Sequence, residues 1–186
     1  MRFKEYLIYN RYKFKNFHKF ITFRTKTIEE IRSLNRDLTY QYFLDYFNFY
    51  SNGQIRKHRN YFKLNKRGFG EDAFHGMWDC LFKTYKPKNI LEIGVYRGQT
   101  LSLFQLLSRL YRFQSNIWGI SPLNDEGDEE SDYLKINYKE DVNNNFDFFN
   151  LEKPNILEEY STSEKSIDFI KSSNWDLIYI DGNHNY

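Results

Sequence analysis

Apolar side chains follow two different spacings along this sequence, and each spacing predicts a different kind of structure. Over residues 71–85 they recur at intervals of three and four, which is typical of an amphipathic helix. Over residues 27–50 a similar spacing follows a helix capping box that begins at Thr27. Residues 1–26 and 54–70 have no sustained period, so we expect irregular structure in the first segment and a basic loop in the second.

Short apolar runs alternate with helical patterns in the rest of the chain. The predicted strands span residues 89–93, 116–121, 155–158 and 175–180. The predicted helices between them span residues 100–113, 138–150 and 161–171, and Ser161 is the expected N-cap of the last. Strands separated by helices pair in parallel through right-handed crossovers. We therefore predict a Rossmann-like three-layer αβα fold over residues 67–186, after a partly helical extension over residues 1–66.

Length and cysteine content narrow the class of protein. The 186 residues suffice for one domain with a real core. The single cysteine, Cys80, excludes an internal disulfide framework and fits a reducing compartment. The sequence shows no signal peptide, and no apolar run approaches the ~18 residues that a membrane span needs. We expect a cytoplasmic protein.

The net charge of +2 conceals a strong asymmetry between the two parts of the chain. Residues 1–70 hold 16 Lys and Arg against 5 Asp and Glu, whereas residues 71–186 hold 11 against 20. A basic leader of this kind either keeps the segment solvated or contacts an anionic partner, such as nucleic acid, a phosphorylated carrier or a membrane surface.

The end of the first predicted strand carries the clearest chemical signal. Gly94 would let the backbone approach a ligand closely, and the following helix would present free N–H groups to an anion. Glu92 would repel a pyrophosphate but could bind a cationic amine. The glycine spacing of nicotinamide cofactor sites is absent, because Tyr96 and Arg97 stand where glycines are needed. The alternative is a tight turn that binds nothing.

Two segments together resemble one protein family. Leu91-Glu92-Ile93-Gly94 with Gly98 resembles the first motif of class I S-adenosylmethionine-dependent methyltransferases. Residues 176–186, which contain Asp181-Gly182 and His184, resemble the fourth motif of the macrocin O-methyltransferase-like branch. The resemblance implies a cofactor site formed by Glu92, Gly94, Tyr96 and Gly98.

The same resemblance assigns expected roles at the other strand ends. Ser121 stands where the family usually has an acid that binds the cofactor ribose, and Asp125 is close enough to replace that acid if its loop folds back. Ser161 would border the adenine. Asp181 would ligate Mg²⁺ or position the acceptor, and His184 would accept the hydroxyl proton. The alternatives are a turn-capping role for Asp181 and a surface position for His184.

Two acidic features of the sequence each allow two interpretations. Residues 125–132 contain six acids and form either a solvated loop or a clasp for the basic leader. Glu71, His75 and Asp79 lie on one line of the predicted helix over residues 71–85. That line faces either the ligand pocket or the solvent.

The sequence therefore predicts an S-adenosylmethionine-dependent enzyme that methylates a hydroxyl of a sugar, glycan or other small molecule. The family sheet has seven strands, of which this chain would supply four in the order 3-2-1-4, with the C-terminal strands missing. We expect a fragment of a longer product or a truncated, inactive protein. The alternative function is a non-catalytic methyltransferase-like module whose basic leader binds an anionic partner.

Overall fold

The computed structural model of the chain describes residues 3–124 and 136–182. The chain divides into two compact units, a helical unit over Met1–Thr84 and an α/β unit over Tyr85–Tyr186. The first unit extends beyond the predicted boundary at residue 66. The reason is that Ala73 and Cys80 are buried in the same hydrophobic cluster as Ile31 and its aromatic neighbours.

The helical unit consists of six helices in its described residues. They are α1 (Phe3–Lys15), α2 (Phe17–Thr22), α3 (Ile28–Arg32), α4 (Arg36–Phe49), α5 (Gly53–Leu64) and α6 (Asp72–Tyr85). The Thr27 capping box is confirmed, with Thr27 and Glu30 exchanging side-chain to backbone hydrogen bonds. The predicted helix over residues 27–50 is interrupted, because Asn35 accepts a hydrogen bond from the Leu38 amide and begins a new helix.

Two predictions for this unit are wrong. Residues 1–26 were expected to be irregular, yet α1 and α2 cover most of them, and Tyr12 and Phe20 pack their rings against Phe49. Residues 54–70 were expected to be a loop, yet α5 occupies the first two-thirds. Its buried side chains lie at helical spacing: Ile55, His58, Arg59 and Phe62. The pattern was missed because two of these four are polar residues.

The side chains of α6 that formed one polar line are buried inside the helical unit. Asp79 is 1 % exposed and accepts a hydrogen bond from Ser51 at 2.6 Å. His75 is 2 % exposed, and its Nε2 lies 3.1 Å from Nδ1 of His58 on α5. These two residues therefore stabilise helix packing, and of the two alternatives the solvent-facing one is wrong for them.

The two buried histidines make the helical unit sensitive to acid. Burial lowers the pKa of His58 well below its usual value and that of His75 to about 3, and the nearby Arg59 guanidinium opposes a second positive charge. Both rings are therefore neutral in the folded state at neutral pH. Unfolding returns their pKa values to about 6.5, so the unfolded chain binds more protons at low pH.

We expect the contribution of these two histidines to the free energy of unfolding to be undiminished above pH ~6.5 and to fall as the pH drops from there toward 3. The slope should reach about 1.4 kcal/mol per pH unit for each imidazole. Urea unfolding followed by circular dichroism at a series of pH values measures it. His75→Gln should reduce the slope, and His18→Gln, at an exposed position on α2, should leave it unchanged. Equal slopes in all three proteins would contradict this origin.

The α/β unit has the predicted topology. Its elements are β1 (Asn89–Ile93), α7 (Gln99–Leu110), β2 (Asn116–Ile120), α8 (Tyr138–Phe148), β3 (Asn155–Leu157), α9 (Glu164–Ser172) and β4 (Leu177–Ile180). The four strands form a parallel sheet in the order β3-β2-β1-β4. The predicted fold class and strand order are therefore confirmed.

The sheet register places Glu92 beside one residue of each neighbouring strand. Glu92 on β1 is level with Gly119 on β2 and Tyr179 on β4, so their side-chain positions share one face. A Cβ at Gly119 would lie 2.6 Å from the Val95 side chain, so glycine leaves room for the packing of that face.

No helix in residues 3–124 and 136–182 is long and apolar enough to cross a membrane.

Candidate functional site

The turn after β1 depends on a glycine for its backbone geometry. Gly94 has φ +99°, a conformation that other residues rarely adopt. A Cβ at this position would lie 2.1 Å from the carbonyl oxygen of Asp181, at the end of β4. The carboxyl ends of β1 and β4 therefore meet in backbone contact, and Gly94 is required by that contact whether or not a ligand binds.

Glu92 is a buried acid with one oxygen left for another partner. The side chain is 4 % exposed, and it accepts hydrogen bonds from the Leu101 amide and the Thr100 hydroxyl at the start of α7. Its Oε2 atom has no hydrogen-bond partner. Burial, with a smaller contribution from the negative charge of Asp181, raises the pKa of Glu92 well above its usual value. A cationic ligand group at Oε2 would relieve both effects.

The second half of the turn is braced by α8. Gly98 adopts φ +72° as the N-cap of α7, and a Cβ there would lie 3.0 Å from Val142. Arg97 Nε donates to Asp141 at 2.6 Å, with both side chains largely buried, and Asn145 donates to the Arg97 carbonyl at 2.7 Å. The Asp141 hydrogen bond and charge outweigh the effect of burial and raise the pKa of Arg97. The Arg97 guanidinium therefore holds the turn against α8 through its ion pair with Asp141.

Tyr96 is half-buried in the turn, with its ring centroid 5.5 Å from that of Tyr138 on α8. At the end of β2, Ser121 is buried and its hydroxyl donates to the Val95 carbonyl at 2.9 Å. That bond uses the only hydrogen of the Ser121 hydroxyl. Its expected role toward a ribose would have to rest on the lone pairs of the oxygen.

Beyond β2 and β3, the connecting loops meet through Asn124, which donates to the Tyr160 hydroxyl at 2.9 Å. Ser161 is exposed in the turn after Tyr160. Its predicted N-cap role is wrong, because Ser163 caps α9 by accepting from the Ser166 amide. The observed N-cap lies two residues after the predicted one, so the Ser161 hydroxyl does not take part in the capping interaction.

Asp181 follows β4 with its side chain exposed at the sheet edge. Tyr179 donates to its Oδ2 at 3.0 Å, and burial together with the Asp181 charge raises the pKa of Tyr179, so the phenol stays protonated. His184 and Asp125 lie outside the described residues, as does the acidic segment 125–132. The described residues contain no group of three or more His, Cys, Asp or Glu side chains that could hold a metal ion.

Sequence reasoning missed three contributors to this site. Thr100 and the Leu101 amide bind the Glu92 carboxyl, and Tyr179 orients Asp181. The sequence does contain a signal for Tyr179. Side chains along a strand alternate between the two faces, and Tyr179 lies two residues before Asp181. The helix-end contacts of Glu92 have no comparable signal, because they depend on how β1 and α7 are placed in space.

Comparison with known proteins shows the fold. No protein-family model and no curated protein matches the chain. One similar solved structure is a protein from Staphylococcus aureus assigned as a caffeoyl-CoA O-methyltransferase, with 19 % identity over 76 % of this chain and 59 % of that one, at a TM-score of 0.50. Another is the SAH-bound Podospora anserina methyltransferase PaMTH1, with 15 % identity over 86 % and 62 % of the respective chains, at 0.51. The chain thus spans about three-fifths of each neighbour.

Proposed function

We propose that this chain is part of an S-adenosylmethionine-dependent methyltransferase. The observation that carries the proposal is the buried Glu92 with its unpartnered Oε2, beside a glycine turn and a helix N-terminus at one sheet edge. In open parallel sheets, ligands bind at the carboxyl ends of the strands. The PaMTH1 structure has the same fold and is described as SAH-bound, which supports the choice of cofactor.

The charges of the site fit the methionine end of such a cofactor. The ammonium group would bind Glu92 Oε2, and the carboxylate would lie at the positive end of α7 near Gly98. The cofactor supplies a methyl group on a positively charged sulfur. Tyr96 and Ser121 would border its adenosine, and Ser161 would lie farther along the same edge.

We propose that the methyl acceptor binds and loses its hydroxyl proton at the end of β4. Asp181 would hold an acceptor hydroxyl, alone or through a divalent cation such as Mg²⁺, and its carboxylate is oriented for this by Tyr179. His184 would take the hydroxyl proton. We propose a sugar, a glycan or another small molecule as the acceptor.

A second candidate is a methyltransferase-like module that does not catalyse transfer. The observation in its favour is Ser121, whose hydroxyl donates to the Val95 carbonyl where an acid would bind both ribose hydroxyls. Such a module would bind the cofactor weakly. Calorimetry with S-adenosylmethionine, followed by an assay for released S-adenosylhomocysteine, separates the two candidates.

Glu92→Gln tests the cofactor site. We expect the affinity for S-adenosylmethionine to fall roughly 10- to 100-fold, because a charge-assisted hydrogen bond to the ammonium group is lost. The fold should keep its stability at pH ~8, since the amide removes the penalty of burying a carboxylate there. Titration calorimetry and thermal unfolding measure the two effects.

Glu158→Gln is the matched control, since Glu158 is exposed and pairs with Lys139 on the surface. Binding by the wild type should also release a proton from Glu92, which makes the measured heat differ between phosphate and Tris buffers. Unchanged affinity in Glu92→Gln would remove Glu92 from the site. Absence of any binding by the wild type would refute the cofactor assignment for this chain.

A further inference from the structure

The first two helices expose an apolar ridge. Leu7, Phe14, Phe17 and Ile21 are 49, 78, 57 and 59 % exposed, respectively. Leu7 and Phe14 are seven residues apart on α1 and therefore share one side of that helix, and Phe17 and Ile21 are four residues apart on α2 and share one side of it. We call these four residues the α1–α2 ridge. Large exposed apolar surfaces of this kind mark contacts with another molecule or a membrane.

The opposite side of the same segment is already packed. Tyr12 donates to Asp45 at 3.0 Å and places its ring 5.7 Å from that of Phe49, and the Phe20 ring lies 5.5 Å from Phe49. With one face anchored to α4, the segment keeps its helical form and holds the ridge outward. The ridge is therefore a fixed feature of the helical unit.

Exposed cations lie on the same two helices as the ridge. Arg11, Lys15 and Lys19 are exposed on these two helices, and the sequence from residue 6 to residue 28 contains six Lys or Arg and no Asp or Glu. An amphipathic helical segment with aromatic side chains on one side and cations beside them is typical of a peptide that lies in the interface of an anionic bilayer. The cations would meet lipid phosphates, and the phenyl rings would enter the acyl boundary.

We propose that the α1–α2 ridge docks this protein on the surface of an anionic lipid bilayer. Lipid is favoured over nucleic acid because four large apolar side chains are exposed here, and a phosphate backbone offers them no apolar partner. It is favoured over a protein groove because the described exposed charges on α1 and α2, those of Arg11, Lys15 and Lys19, are all cationic. Docking would hold the α/β unit near substrates at the membrane surface.

Vesicle flotation with the full 186-residue chain tests the proposal. We expect binding to phosphatidylcholine vesicles that contain phosphatidylglycerol, little binding to phosphatidylcholine alone, and loss of binding in high salt. Phe14→Ser with Phe17→Ser should weaken binding at least about tenfold. Arg11→Gln with Lys15→Gln should weaken it about thirtyfold.

Leu64→Ser with Lys66→Gln is the matched control, because Leu64 is 76 % exposed near the end of α5 and this pair lies outside the ridge. This variant should bind vesicles like the wild type, and circular dichroism should show all variants folded. The proposal is overturned if the wild type does not float with anionic vesicles, or if the ridge variants bind them equally well. Binding of a short DNA duplex without vesicle binding would assign the surface to nucleic acid and overturn it too.

Discussion

Replacing Gly94 with valine will destabilise the α/β unit by about 2–6 kcal/mol. Gly94 has φ +99°, which a β-branched residue adopts only with strain. The new Cβ would also lie 2.1 Å from the Asp181 carbonyl oxygen and 2.5 Å from Gly182 Cα, so the contact between β1 and β4 must open. Thermal unfolding should show a melting temperature lower by at least roughly 10 °C.

Gly182→Ala is the matched control for this prediction, because a Cβ at Gly182 meets no atom within 4 Å. It should unfold within about 0.5 kcal/mol of the wild type. A Gly94→Val protein as stable as the wild type would show that the two strand ends separate at little cost. Because the expected damage is structural, loss of cofactor binding in Gly94→Val would not locate the cofactor, and Glu92→Gln is the variant that does.

Replacing Asp141 with alanine will destabilise the same unit by about 3–5 kcal/mol. Asp141 accepts from Arg97 Nε at 2.6 Å, and the two side chains are only 13 % and 8 % exposed. Removing the carboxylate leaves a guanidinium in a site that excludes most water. Arg97 is part of the turn between β1 and α7, so the loss will also loosen that turn. Urea unfolding followed by circular dichroism measures the change.

A surface ion pair of the same unit provides the comparison. Glu158→Ala removes the exposed partner of Lys139 and should change the free energy of unfolding by less than about 1 kcal/mol. Combining Asp141→Leu with Arg97→Met should recover much of the stability lost in Asp141→Ala, since no buried charge remains. Equal losses from Asp141→Ala and Glu158→Ala would show that solvent reaches Arg97 freely.

The α/β unit could be predicted closely from the sequence because its signals are local. The run over Asn89–Ile93 is a strand as predicted, and the other strands differ by at most two residues at either end. The helical unit was predicted less well. His58 and Arg59 occupy the buried face of α5, so counting apolar residues did not reveal the helix.

Some residues of the candidate site could likewise be identified from the sequence, and others could not. Glu92, Gly94 and Gly98 could be selected from the sequence, because a strand, a glycine turn and a helix follow one another directly. The position of Arg97 also stood out, since it interrupts a glycine pattern. Its partner Asp141 could not be selected, because the two are 44 residues apart and meet only when α8 packs beside the turn.

The sequence by itself determined the alternation of strands and helices, the Thr27 capping box and the acids at the ends of β1 and β4. These features depend on residue spacing and on hydrogen bonds within a few residues. Only the tertiary structure decided that Glu92 keeps a free oxygen, that Ser121 is occupied by the Val95 carbonyl, and that His75 is buried. Burial and distant partners arise when elements pack, and the chemistry of an ionisable side chain follows from both.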